Sequence, residues 1–314
     1  MKHNVKITLL LLIMFLITQF IGLAVLYADP FNIELEINGT VQKVDNPSLA
    51  WIHPPEAEKP SDFWTSFFPS IILAFIIAIS LLFLFSKFKL EFILRAWFFL
   101  VVAFAVWLTI YAFEILVPWT IDAKIALIIP TIIALPLAFK KIYFNDFITH
   151  NFTELLIYPG IACVFIPILN FWTIIVLLIV ISLYDMWAVW HSKIMQGMAK
   201  YQIQKLRVFS GFFVPYVSKK VKMKLKKLKK SELKKKKIKA NVAILGGGDI
   251  IFPIITAGVL FNLAGLIPAL FVTAGATCGL ALLFFFAEKK RFYPAMPFIT
   301  GGIFTGIILS FLFF

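Results

Sequence analysis

Apolar residues follow one another along this chain in blocks of about twenty, broken by short polar stretches, instead of alternating or recurring at helical spacing on one face. Nine such blocks lie at about 7–28, 64–86, 96–117, 124–139, 153–168, 171–191, 241–262, 265–286 and 293–313. A helix of roughly 20 apolar residues crosses the ~30 Å hydrocarbon layer of a bilayer, so each block predicts a transmembrane helix. The fourth and fifth are short and carry Pro130, Pro136, Pro159 and Pro167. Proline is tolerated inside membrane helices because neighbouring groups re-satisfy the carbonyls it frees. The first block follows Lys2 and Lys6 and ends at Tyr27-Ala28, like a secretory signal. It is longer than the ~7–15 residues of a signal core, and reads as an uncleaved first helix.

Composition agrees. Of 314 residues, 61% are hydrophobic and 15% charged, and mean hydropathy is +0.94. Soluble domains are about 45–50% apolar and about 25% charged, so a soluble enzyme, a disulfide scaffold and a disordered chain are all excluded. Cys163 and Cys278 both fall in apolar blocks and build no disulfide framework. The fold class predicted is all-α, a polytopic bundle of about nine transmembrane helices.

The net charge of +14 sets the orientation. With the N-terminus inside, 27 of the 30 Lys and Arg residues fall on inner segments, leaving only Lys43, Lys59 and Lys124 outside. That asymmetry is the positive-inside signature and places the C-terminus outside. Seventeen of those residues lie between 193 and 239. The chain thus divides into a six-helix part (1–192), a basic cytoplasmic loop (193–240) and a three-helix part (241–314). In the loop, Val217, Val221, Leu225 and Leu228 share one helical face with lysines around them, a pattern suited to lying on anionic inner-leaflet headgroups. No nucleic-acid-binding module is present, so nucleic acid is not an expected partner.

Of 16 carboxylate side chains, 14 fall in predicted loops or near block ends; Asp185 and Asp249 do not. Carboxylates at membrane depth are costly, which makes both functional candidates. Asp185 lies about six residues before the inner end of the sixth block, and Asp249 about eight after the inner start of the seventh. At ~1.5 Å per residue both sit roughly 9–12 Å below the inner boundary, on antiparallel neighbours, and can face one another. Two carboxyls in a low-dielectric site hold one proton between them. Such a pair can activate water and protonate an amide carbonyl. It can equally line a proton or cation path.

The flanking residues favour hydrolysis. Gly246, Gly247 and Gly248 strip side chains from the turn before Asp249 and admit another backbone. Pro294-Ala295-Met296-Pro297 opens the ninth block, where prolines can keep the backbone unwound beside the acids. Tyr184-Asp185, Gly246-Gly247-Gly248-Asp249 and Pro294-Ala295-Met296-Pro297 resemble, in this order and on these blocks, the YD, GxGD and PAL motifs of the presenilin and signal peptide peptidase family. Met296 departs from the usual leucine, a near-isosteric change. The resemblance implies an intramembrane aspartyl protease with Asp185 and Asp249 as the catalytic pair. It also implies that Tyr184, the three glycines and residues 294–297 shape the site, that transmembrane-helix proteins are the substrates, and that neither metal nor cofactor is used. Because the charge count puts the 193–240 loop inside, the chain is most similar to presenilins, and among them to single-chain prokaryotic (archaeal) homologues of a cell membrane.

The rivals are an ion- or proton-coupled transporter using the same acids, and a prepilin-type peptidase. The latter usually carries Lys two places after its aspartate, where this chain has Ile251. Zinc proteolysis is disfavoured because His3, His53, His150 and His191 are scattered without an HExxH. No Ser–His pairing in the sequence suggests serine chemistry.

Overall fold

The structure is a computed structural model and describes residues 5–37, 40–50, 52, 64–65, 68–70, 73, 77, 80–81, 91–117, 122–144, 146–192, 209–216, 241–287 and 293–313. Its helices are α1 (Val5–Ala28), α2 (Glu91–Leu116), α3 (Ala123–Tyr143), α4 (Phe147–Phe165), α5 (Phe171–Trp187), α6 (Gly247–Ala264), α7 (Leu266–Phe286) and α8 (Met296–Phe313). Among the described residues, eight helices are long and apolar enough to cross a membrane, matching the first and the third to ninth predicted blocks. The second block, 64–86, is not described as a continuous run, and the amphipathic stretch 217–228 also lies outside the described residues. Two antiparallel hairpins complete the fold. One joins β1 (Asn32–Ile37) to β2 (Thr40–Asp45), the other β3 (Gly211–Tyr216) to β4 (Asn241–Gly246).

Helix boundaries follow from capping. The Asp146 carboxylate accepts from the Thr149 N–H (3.1 Å) and hydroxyl (2.6 Å) and starts α4. These two bonds, hydroxyl first, hold the Asp146 carboxyl below its ordinary range. Asn170 and Thr173 form a reciprocal capping box that starts α5. Gly265, at φ 88°, turns α6 into α7 in a single residue, a conformation that favours glycine.

Four predicted boundaries are corrected. The fourth helix runs on to Tyr143 and the fifth begins at Phe147, so Lys141 and Glu154, expected in a loop and at a helix edge, are buried inside the bundle. The seventh helix begins at Gly247, because residues 241–246 pair as a strand with residues 211–216. The ninth predicted helix, α8, begins at Met296, three residues later than predicted, with Pro294 and Ala295 outside it.

The main core joins α1, α4, α5, α6, α7 and α8 with the inward faces of β3 and β4. A second cluster packs α2 and α3 on α4. Helices α7 and α8 approach closely at their glycines. A Cβ at Gly275 would run into the Gly302 carbonyl, one at Gly279 into the Phe298 carbonyl, and one at Gly306 into the Phe271 carbonyl. Small residues of this kind let membrane helices approach closely where no hydrophobic force drives them together. This contact fixes the start of α8 in the bundle.

Candidate active site

Asp185 lies in the last turn of α5 and is 7% exposed. Its Oδ2 accepts from the Met296 backbone N–H at 3.0 Å. That donor exists because Pro294 and Ala295 are not helical, which leaves the first N–H groups of α8 unsatisfied. One turn along the same interface, the Ser182 hydroxyl donates to Thr300 Oγ1 at 2.8 Å. After Asp185 the helix widens into a π turn, Ala188–Ser192. Such turns frequently mark functional sites.

Asp249 lies in the first turn of α6, directly after β4, and is partly buried. Its carboxyl reaches back to the Gly246 N–H, as an acidic residue at the third helical position does. It stands at a helix N-terminus and not eight residues into a helix, as the run of apolar residues suggested. The helix dipole there favours a negative charge. Asp185 lies within electrostatic reach of Asp249.

The three glycines differ in what they make room for. A Cβ on Gly246 would come within 3.2 Å of Asp249 Oδ2. One on Gly247 would meet Ser210 Oγ at 2.8 Å and the Tyr158 ring and hydroxyl at 3.0 Å. One on Gly248 would meet only Phe252, at 3.9 Å, so that face is open. Of the remaining predicted site residues, Pro294 and Met296 are buried, and Ala295 and Pro297 are partly buried. Tyr184 is not gathered with them: it is 58% exposed, with its ring 6.2 Å from that of Trp187.

The β3–β4 hairpin was not foreseen. Gly211 pairs with Gly246, Phe213 with Ile244 and Tyr216 with Asn241. A segment of the basic loop is thereby stitched to the strand that leads into Asp249. On its other side β3 is held by α4. Asn151 Nδ2 donates to the Phe213 carbonyl (2.9 Å), the Phe213 N–H donates to Asn151 Oδ1 (3.1 Å), and His150 Nε2 donates to the Gly211 carbonyl (2.9 Å).

A buried polar cluster stands behind this contact. The Lys141 ammonium donates to Glu154 Oε1 and to His150 Nδ1. Among the described residues, Glu154 Oε2 has no hydrogen-bond partner. The Tyr158 hydroxyl is near Glu154 and Ser210. Glu154 is therefore a third carboxylate at depth, which the sequence reading had placed at a helix edge. Among the described residues, no group of three or more His, Cys, Asp or Glu side chains is placed to hold a metal ion.

The sequence model of the family described as signal-peptide peptidase, presenilin aspartyl protease matches residues 48–314. This chain belongs to that family. It is an intramembrane aspartic protease of presenilin type. Two solved structures of a presenilin family intramembrane aspartate protease share the fold. One, in a C222 crystal form, has a TM-score of 0.59 at 17% identity, covering 98% of this chain and 99% of the other. The second, in a P2 form, has a TM-score of 0.55 at 18% identity, with 97% of each chain covered. No curated protein matches the chain. The presenilin-type fold thus spans nearly the whole molecule, and the motif-bearing segments of α5, α6 and α8 all lie within the matched region.

Proposed function

We propose that Asp185 and Asp249 are the catalytic pair of this protease and hydrolyse peptide bonds within transmembrane helices of single-pass proteins. The observation that carries this reading is the Met296 N–H bond to Asp185, which fixes that carboxyl within electrostatic reach of Asp249. In this reading the parts 1–192 and 241–314 supply one aspartate each, joined by the basic segment 193–240.

The two carboxyls share one proton. The ionised one takes a proton from water as its oxygen attacks the scissile carbonyl carbon, and the other gives its proton to the carbonyl oxygen. The resulting diol collapses as a carboxyl returns a proton to the departing amide nitrogen, leaving an acid and an amine and no covalent intermediate. The glycines leave the approach to Asp249 free of side chains, and Pro294 and Ala295 keep the backbone beside Asp185 non-helical.

A substrate helix must unwind for this chemistry, and its freed backbone groups then need partners inside the bilayer. β4 supplies them. Phe213 turns its N–H and carbonyl toward α4, so its partner Ile244, and by alternation Val242, direct theirs to the opposite edge. A substrate strand adds along that edge and enters the site beside Gly248. The charge asymmetry supports a cytoplasmic side for this hairpin, and the family resemblance supports a prokaryotic cell membrane. Substrates then carry their N-termini outside.

Reconstitution tests the reading. Full-length protein in liposomes is mixed with a single-span helical peptide, with an ion-sensitive dye enclosed. Peptide fragments without dye response support proteolysis; dye response without fragments assigns the acids to an ion path instead.

A further inference from the structure

β3 has two edges, and the helix α4 occupies the one that β4 does not. The Asn151 carboxamide presents an acceptor to the Phe213 N–H and a donor to the Phe213 carbonyl, which is the two-point contact a neighbouring strand would make. One residue earlier, His150 closes the Gly211 carbonyl. The brace is buried and rigid. The His150 and Phe213 rings lie 4.5 Å apart, and Phe147 packs edge-on against Phe213 at 5.6 Å. His150 Nε2 must carry a hydrogen to serve the carbonyl, so Nδ1 is the acceptor for Lys141, 3.3 Å away, and Lys141 is charge-paired with Glu154. On the far side of the hairpin, Val242 and Ile244 are exposed, and among the described residues no backbone hydrogen bond closes the β4 edge.

We propose that Asn151 is a positioning residue for hydrolysis: by standing in for a third strand on the outer edge of β3, it fixes the hairpin from whose end Asp249 springs, and with His150 it leaves β4 as the edge open to substrate. The proposal rests on the proteolytic reading above and adds a residue to it. Asn151 never touches the substrate. Without its two bonds β3 is held to α4 only by the His150–Gly211 bond and side-chain packing, and the Gly246–Asp249 turn, paired directly with Gly211, is less firmly positioned. Misplacing a reacting group by ~1 Å costs on the order of 10²-fold in rate.

The test is peptide cleavage by the full-length protein in liposomes, comparing wild type, Asp249→Asn, Asn151→Ala and Asn151→Asp. Asn151→Ala is expected to lower kcat on the order of 10²-fold while KM changes little. Asn151→Asp keeps the acceptor for the Phe213 N–H but as a carboxylate has no donor for the Phe213 carbonyl. At neutral pH it is as slow as the alanine variant. On acidification its protonated carboxyl again offers a donor and an acceptor, and its kcat recovers relative to wild type at the same pH. Dividing by wild type removes the titrations of His150, Lys141, Glu154 and the two site acids, which both proteins share. A wild-type kcat in Asn151→Ala, or a pH-independent Asn151→Asp to wild-type ratio, overturns the positioning role. Both results leave the protease reading intact as long as wild type cuts and Asp249→Asn does not. The pH ratio decides the matter even if the alanine variant fails to fold. A wild-type chain that makes no fragments sinks the proteolytic reading and this proposal together.

Discussion

The Met296 backbone N–H donates to Asp185 Oδ2 across 3.0 Å, joining residues 111 positions apart. The bond ties the last turn of α5 to the first of α8, and it needs no side chain at position 296. It does need an α8 that starts there and no earlier. Pro297 helps by sitting in the first turn, where its missing N–H costs nothing.

A first prediction follows from the identity of that donor. Met296→Leu keeps the N–H and nearly the same volume, and cleavage stays close to wild type. Met296→Pro deletes the N–H from the contact, together with the buried Met296 side chain. Hydrogen bonds to charged groups contribute about 1.5–3 kcal/mol, so this variant is expected to lose roughly one to two orders of magnitude in kcat/KM. Steady-state cleavage of one peptide by both variants is the check. Equal activity would show that the backbone bond does not orient Asp185.

The contact between α7 and α8 makes a second. A Cβ at Gly302 would run into the Gly275 carbonyl, whereas one at Gly301 meets nothing within 4 Å. Gly302→Ala forces the helices apart and is expected to destabilise the protein by about 1–3 kcal/mol, the usual cost of overpacking. Gly301→Ala leaves the melting temperature unchanged or raises it slightly. Thermal unfolding of the two variants in one detergent distinguishes them; equal losses would mean that α7 and α8 do not pack as described.

The cap of α4 gives a third, read out by pH. Two bonds from Thr149, and less so the nearby charge of Lys140, hold the Asp146 carboxyl below its unfolded value. A carboxyl lowered in this way stabilises the fold fully above the unfolded pKa of about 3.9, and the stabilisation is lost as pH falls through the lower folded value. Asp146→Asn keeps the capping oxygen and has no proton to take up. Between about pH 5 and pH 2 the melting temperature of wild type should therefore fall more steeply than that of the variant. Parallel curves would contradict the cap.

Most of the bundle was legible because membrane helices must be apolar for about 20 residues, and hydropathy reads that directly. The two candidate acids stand out in the sequence for the same reason, alone within apolar blocks. The hairpin was hidden by its own composition. Gly211–Tyr216 and Asn241–Gly246 are mostly apolar segments of six, and runs that short cannot be assigned to strand or helix by periodicity. Residues 241–246 also abut the apolar residues of α6, so the two were read as one helix and Asp249 was set too far from its start. The polar beginning of α4, Thr149-His150-Asn151, reads as loop by hydropathy. Asp146 before Phe147, with Thr149 three places on, was the capping signal that would have found the start of α4 and with it the buried Glu154. Nothing local marks Asn151 as the partner of Phe213, since that contact spans 62 positions.

The central claim is that both aspartates, and no other group, cut the peptide bond. The most direct measurement is single-turnover cleavage of a single-span helical peptide in liposomes by wild type, Asp185→Asn and Asp249→Asn, each first shown to melt at the wild-type temperature. Wild type is expected to release fragments and neither variant any. Fragments released by a folded Asp185→Asn or Asp249→Asn protein would contradict that claim.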